Sequence, residues 1–233
     1  TETTLSDASE GTVAWKLKLT DLDRPLFHLP YARLYKTGFP KKKVVTPSPR
    51  LQLDGEITLG NQTIAVDGWI GIRGHNWGTE HAHTYAWGSC NCFDGPDTVL
   101  LEGFSAKLRI AGRTTPWVST LMLRNGGIES AFNRIRGAVS RSVEVTQRSW
   151  RVALKRRKLR IECSWSLEPD QTIGLRYLHP DGSVSFCYNT KFASVDVRCG
   201  TERWHSDQGE FELLFPTPLP NIPLHGNAEL LYR

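Results

Sequence analysis

The stretch LQLDGEITLGNQTIAVDGW, residues 51–69, alternates apolar and polar positions on either side of a Gly60-Asn61 pair. Leu51, Leu53, Ile57 and Leu59 lead into the glycine, and Ile64, Val66 and Trp69 leave it. Successive side chains of a strand point to opposite faces, so a period of two marks a strand with one buried face. Two such runs joined by a Gly-Asn pair read as a hairpin.

The same period extends outward from this stretch. Val13, Trp15, Leu17 and Leu19 alternate with Ala14, Lys16, Lys18 and Thr20. Further strands are expected at about 98–111, 116–124, 142–154, 158–167, 171–178 and 183–198. Lys155-Arg156-Arg157-Lys158 is read as a hairpin turn, and His179-Pro180-Asp181-Gly182 as another whose Pro and Gly supply the backbone angles it needs. One segment departs from the rule. Ile128, Ala131, Phe132 and Ile135 fall at i, i+3, i+4 and i+7, which predicts a short amphipathic helix over 128–138, weakened at Gly137. Four prolines between Pro216 and Pro223 predict an extended connection, with a closing strand over 228–232.

Many strands joined by tight turns point to an all-β class, an antiparallel lipocalin-like barrel with one short helix. The chain of 233 residues is long enough for one barrel or for one and a partial second. The division expected is a β domain over 1–125 and a second β segment over 126–233, with a single domain as the alternative. Eight Trp, whose indole N–H groups need partners when buried, suit a barrel interior or a ligand cavity.

Net charge is +5 and pI about 9.0, concentrated in Lys41-Lys42-Lys43 and Lys155–Lys158. Neither run carries the interleaved aromatics that stack on bases, so both read as solvated turns and nucleic acid is not expected as a partner. The five cysteines, 90, 92, 163, 187 and 199, are odd in number and lack a C-x-x-C pair, which reads as reduced thiols. No apolar run approaches the ~18 residues of a membrane span, and the N-terminus lacks a basic-then-apolar signal. The expectation is a cytoplasmic protein without stable membrane insertion. The chain opens at Thr1 rather than Met, so a removed leading segment stays open.

Chemistry concentrates in residues 73–93, RGHNWGTEHAHTYAWGSCNCF. On a strand over 81–92, His81, His83, Tyr85, Trp87, Ser89 and Asn91 share one face. Ala82, Thr84, Ala86, Gly88, Cys90 and Cys92 share the other. The small face suits close packing against another layer. The large one resembles a cavity wall, with rings to shape an apolar site and a few polar groups to orient a ligand. Three readings stay open: His81 and His83 as metal ligands completed by His75 or Glu80, a His or Glu as proton donor or acceptor in a water-poor pocket, and a structural polar network. The expected set is therefore Glu80, His81 and Glu102 as acid or base, with His75, Asn76, Trp77, His83, Tyr85, Trp87 and Asn91 lining the ligand. Glu102 enters because it alternates with Phe104 on the next strand, after the turn Asp94-Gly95-Pro96. No metal site is expected to be complete. No serine-nucleophile motif, phosphate loop or dinucleotide fingerprint is present, so no cofactor is expected.

Gly38-Phe39-Pro40, Gly55-x-Ile57, Gly68-Trp69, His75-Asn76-Trp77-Gly78 and Cys187-Tyr188-Asn189-Thr190-Lys191 follow the motif order of a known family. In these the chain resembles the hydroxyneurosporene synthase (carotenoid 1,2-hydratase) and tocopherol cyclase-like proteins, built from lipocalin-like barrels. His75-Asn76-Trp77-Gly78 is similar to that family's Asp-His-x-Trp-Gly element, with Gly74 where the family has the Asp suited to protonating an alkene. The resemblance implies a cavity for an apolar isoprenoid or polycyclic molecule, with cofactor-free hydration or cyclisation in catalytic relatives. A non-catalytic lipid carrier on the same fold is the alternative. A metal-dependent enzyme using His81 and His83 is the second.

Overall fold

The computed structural model describes residues 2–7, 11–79, 82–95, 97–110, 112–134, 142–179 and 182–225. Among them the only helical turns are two short 3-10 turns, Ala32–Tyr35 and Pro169–Gln171, and the remaining regular structure is strand. Every strand pairing whose register is resolved is antiparallel. The all-β, antiparallel class read from the period of two is the class found. Two compact units result, one of residues 1–27 with 44–76, the other of 28–43 with 77–233.

The first unit is a five-stranded sheet of β1 (Glu2–Asp7), β2 (Gly11–Asp21), β3 (Leu26–Phe27), β4 (Lys42–Leu59) and β5 (Gln62–Gly78). The hairpin at Gly60 joins β4 to β5, and Gly60 donates its N–H to Thr12 O at 2.8 Å. Val13, Trp15, Leu17 and Leu19 of β2 pair with Leu59, Ile57, Gly55 and Leu53 of β4, so the two alternating runs of the sequence meet in register. Asp21 accepts a hydrogen bond from Ser48 and lies 3.4 Å from Arg73 Nη2, itself 2.8 Å from Ser48 Oγ.

The second unit is built on a sheet in the order β11 (Ile128–Phe132), β10 (Val118–Asn125), β7 (Leu100–Lys107), β6 (Thr84–Cys90), β17 (Glu202–Phe215), β16 (Val184–Cys199), β14 (Leu159–Ser166), β13 (Ser149–Arg156) and β12 (Val143–Val145). Off this path, β15 (Ile173–Leu178) pairs with β16. A small separate hairpin joins β8 (Arg109–Ile110) to β9 (Arg113–Thr114). The sheet curls over itself. Trp150 on β13 donates its indole N–H to Ser105 Oγ on β7 at 3.0 Å, and Trp165 on β14 lies against Gly88 of β6, although these strands are far apart in sheet order. Among the described residues the end strands β11 and β12 do not pair, so the hydrogen-bonding path is open rather than a closed barrel.

The interior of this curl is filled. Trp150 and Trp165 stack at 4.6 Å between ring centroids and 18° between planes, both fully buried, among Leu121, Ile161, Val195, Phe211 and Leu213. Ala86, Gly88 and Cys90 of β6 face this core, as the small face of the sequence requires. A Cβ on Gly88 would sit 2.5 Å from Trp165 Cε2, so only glycine allows the indole this close approach.

Three expectations fail. The helix over 128–138 is not formed: Ile128–Phe132 is strand β11, its register fixed by Leu121↔Phe132 and Asn125↔Ile128, while 135–138 lie outside the described residues. A run of apolar residues at helical spacing is overridden when a tight Gly126-Gly127 turn folds it back onto β10. Lys41–Lys43 is not a solvated turn, because Lys43 is 6 % exposed and donates to Pro40 O at 2.8 Å, beginning β4 rather than a loop. Cys92 is exposed, beyond the end of β6, with its thiol 3.4 Å from Gln208 O, and does not share the buried side of Cys90. The expected closing strand over 228–232 lies outside the described residues.

Candidate functional site

The opposite face of β6 carries Tyr85, Trp87 and Ser89, as the alternation demands once Ala86 and Gly88 point to the core. Register extends this face across three neighbours. Trp87 sits opposite Phe104 of β7 and Glu212 of β17, Ser89 opposite Glu102 and Glu210, and Glu212 opposite Asn189 of β16. Three glutamates from two strands far apart in sequence thus share one sheet face with three aromatic rings, Tyr85 and Trp87 of β6 and Phe104 of β7.

Residues 28–43 supply partners on this side. His28 is fully buried, with Nε2 3.4 Å from Glu102 Oε1 and its ring 5.9 Å from that of Phe104. Its carbonyl accepts a hydrogen bond from Asn133 Nδ2 at 3.2 Å. Glu102, 2 % exposed, also accepts the Trp87 indole N–H at 3.1 Å. A carboxylate this deeply buried is tolerable only with such donors around it. At the other end of the face, Tyr85 donates to Glu212 Oε2 at 3.0 Å, and Asn189 Nδ2 donates to the other oxygen of the same carboxylate. Lys42 Nζ lies 5.4 Å from the centre of the Tyr85 ring, close enough for a cation–π contact.

Burial shifts the ionisation of four side chains on this side, Glu210, Lys42, Tyr85 and Cys187. Burial pushes the Glu210 carboxyl above its ordinary value. Lys191, 3.3 Å away, pulls it back, while the charges of Glu102 and Glu212 push it further up. Its Oε2 is buried and has no hydrogen-bond partner among the described residues. Burial lowers Lys42, against the opposing pull of Glu212 and Cys187. It raises Tyr85 well above a free phenol and Cys187 to about 12, which leaves that thiol protonated and inert.

Of the residues expected from sequence, the structure brings Tyr85, Trp87 and Glu102 onto one face. Glu80 and His81 lie outside the described residues. His83 precedes β6, is half-buried, and bonds through its backbone N–H to Lys107 O at 3.0 Å. Asn91 follows the strand and is half-buried. Trp77 belongs to the second unit and stacks on Tyr35 at 6.0 Å, whereas His75 and Asn76 end the first unit and are exposed. Gly78 has a structural role. With φ at +150°, a Cβ there would fall 1.9 Å from Lys41 O. Among the described residues no three His, Cys, Asp or Glu side chains converge as metal ligands.

Sequence reasoning missed His28, Glu210 and Glu212. The signal for the last two was present in Trp204, Ser206, Gly209, Phe211 and Leu213, whose buried positions alternate with the exposed or half-buried ones of β17.

A groove of about 870 Å³ lies elsewhere, over β12, β13, β14, β16 and β17, lined by Arg151, Glu162, Asp196, Arg198, Arg203 and His205. His205 is held by Asp196 at 3.0 Å and Asp207 at 3.4 Å, and the Asp196 contact raises its pKa. These charges are largely solvated, so the groove lacks the desolvation that gives the glutamate face its altered chemistry.

No family model and no curated protein matches the chain. Among solved structures, the chain is similar to a Nitrosomonas europaea protein described as a "putative AttH", at 17% identity and a TM-score of 0.46. The match covers 95% of this chain and 65% of that one, so the chain spans about two thirds of its neighbour's length.

Proposed function

We propose that the protein binds an apolar small molecule of isoprenoid or polycyclic type against Tyr85, Trp87 and Phe104, and acts on it as a cofactor-free acid catalyst of hydration or cyclisation. The observation that carries this reading is Glu210, a carboxyl pushed toward its protonated form beside two further carboxylates and an indole. An acid whose proton stays on nearer neutral pH is suited to general acid catalysis. In the proposed step the Glu210 proton adds to an alkene carbon, the π pair forms the new C–H bond, and positive charge develops on the adjoining carbon. The Trp87 face and the Glu102 and Glu212 carboxylates stabilise that charge. Attack by water, with loss of its proton to Glu210, gives an alcohol. Attack by a second double bond followed by proton loss to Glu210 gives a ring. Glu102, expected from sequence as an acid or base, here stabilises charge instead, held by His28 and Trp87, while Glu80 and His81 are given no role.

The test is a fluorescence titration with a polyprenyl alcohol, followed by incubation of an unsaturated isoprenoid in deuterated water. Saturable quenching of Trp emission, weakened in Trp87→Phe, and carbon-bound deuterium in the product that is lost in folded Glu210→Gln are expected. Binding without deuterium uptake leaves the carrier reading in place of the catalytic one. No saturable binding of any apolar compound overturns both.

A further inference from the structure

The net positive charge of this chain is not spread evenly over it. Lys155, Arg156, Arg157, Lys158 and Arg160 stand at the β13–β14 hairpin, and Arg198 and Arg203 at the base of the β16–β17 hairpin. β14 pairs with β16, and Gly200 N donates to Arg160 O at 3.3 Å, so the two hairpin tips lie side by side. Within residues 155–162 and 198–203, seven cations face two carboxylates, Glu162 and Glu202. That net +5 equals the formal charge of the entire chain, so the remaining sequence is neutral as a whole.

Three features set this surface apart from a solvated turn. Arg160 is paired with Glu162 at 2.7 Å, while the other six cations enter no ion pair among the described residues. Arg198 and Arg203 are direct cross-strand partners, an arrangement in which like charges repel. Arg157 holds a left-handed backbone, φ 55°, where glycine or asparagine would fit with less strain. The Arg198–Arg203 pairing and the Arg157 backbone work against folding stability.

We infer that the paired hairpin tips form a docking surface for an anionic lipid membrane, on which the protein rests without inserting. The occupant follows from charge and shape. The β13–β14 turn carries Arg157 and Lys158, while Lys155, Arg160, Arg198 and Arg203 flank the two turns on their strands, and all six are exposed. Phosphate-rich headgroups of a flat surface meet such a display without any stacking partner. Bases of single-stranded nucleic acid need exposed rings, and Trp204, the one aromatic residue within 155–162 and 198–204, is buried. Juxtamembrane basic residues near an anionic leaflet each strengthen partition by about fivefold. The inference stands apart from the proposed chemistry, since it uses none of the glutamate face.

The experiment is vesicle flotation with phosphatidylcholine alone and with phosphatidylcholine containing phosphatidylserine, at low and physiological salt. Binding only to the phosphatidylserine vesicles, weakening with salt, is expected. Arg157→Gln with Lys158→Gln should reduce partition by roughly 25-fold, two residues at about fivefold each. Lys16→Gln with Lys18→Gln, which removes the same charge from β2, should change it far less. All variants are checked by thermal unfolding. Equal losses from both pairs would reduce the effect to bulk charge and overturn the site. So would no binding to phosphatidylserine vesicles at low salt, or tighter binding of single- or double-stranded oligonucleotide than of vesicles. Failure here leaves deuterium uptake at Glu210 unaffected, so the two readings fail separately.

Discussion

Replacing Gly88 by alanine should destabilise the second unit by about 1–2 kcal/mol, because the new methyl group meets a ring that has nowhere to go. The added Cβ would lie 2.5 Å from Trp165 Cε2, 2.6 Å from Nε1 and 2.9 Å from Cδ2. Carbon atoms in contact prefer about 3.5–4.0 Å, so the indole must retreat by roughly 1 Å. Behind it Trp150 stacks at 4.6 Å, and that indole is tied to Ser105 at 3.0 Å, with Ser105 in turn 2.6 Å from Ser119. Retreat therefore compresses the stack or breaks the Trp150 hydrogen bond. Overpacking of this kind costs about 1–3 kcal/mol. Relief of the strand glycine's entropy returns roughly 0.5–1 kcal/mol of it. Urea denaturation followed by Trp fluorescence should show a lower midpoint at unchanged slope, and a thermal midpoint lower by about 2–8 °C. Gly38→Ala, where nothing lies within 4 Å, is the control, and its effect should stay within about 0.5 kcal/mol. In a Trp165→Phe background the cost of Gly88→Ala should shrink by at least about 0.5 kcal/mol, since the two residues share the clash. A Gly88→Ala protein as stable as its parent would refute this packing and, with it, the assignment of the small face of β6 to the core.

Glu210 should make folding stability depend on pH. Its folded pKa lies above the ordinary 4.5, so the stability it contributes is complete below that value and declines as pH rises through the folded one. Glu210→Gln should match its parent at acid pH and gain on it toward neutrality in denaturation series, and a difference that is flat with pH would contradict the burial of this carboxyl. His205 should titrate above 6.5 by NMR, and Asp196→Asn should lower its midpoint, because the aspartate stabilises the imidazolium. The stability contributed by this exposed pair is present below 6.5 and fades as pH passes the folded value; an unmoved midpoint in the variant would exclude the contact. Arg157→Gly should raise stability by up to about 1 kcal/mol by relieving the left-handed backbone, measured by chemical denaturation, and a loss would argue against that conformation.

The strand pattern was legible because buried positions alternate with exposed or half-buried ones through most of β13, β14 and β16, and period two survives without knowledge of the partner strand. The division of β6 into small and large faces was legible for the same reason. The close packing of the small face was legible too, but not that this face, rather than the aromatic one, would line the inside of the curl. Cavity walls and packed cores both accept aromatic rings, and only the Trp165 ring over Gly88 identifies the small side as the core. β17 escaped notice because its alternation is interrupted between Ser206 and Phe211, where register shifts against β16 turn the strand. With β17 went Glu210 and Glu212. His28 was equally hidden, since its partner Glu102 is 74 positions away and no local pattern links a short segment after β3 to the middle of β7.

Two carboxyls of the glutamate face are held by a strand that also builds the core. Phe211 and Leu213 are fully buried on the inner side of β17, and Glu210 and Glu212 alternate with them on the outer side. Rigid inner anchors fix the outer carboxyls relative to Ser89 and Trp87 across the β6 pairing. A strand designed for stability alone would carry neutral or oppositely charged residues there, because like charges on one face repel and burial penalises each ionised form. The Glu210 side chain, 22 % exposed, is screened enough to feel Glu102 and Glu212, yet is paired to only one cation, Lys191. Burial, helped by those two charges, raises its pKa against the pull of Lys191 and so favours the neutral acid. A purely structural network would gain by exchanging Glu210 for glutamine, whereas an acid catalyst would lose its proton donor by the same change. The one substitution therefore separates the two readings of this face. A gain in neutral-pH stability accompanied by loss of deuterium transfer marks a functional carboxyl kept at a folding cost.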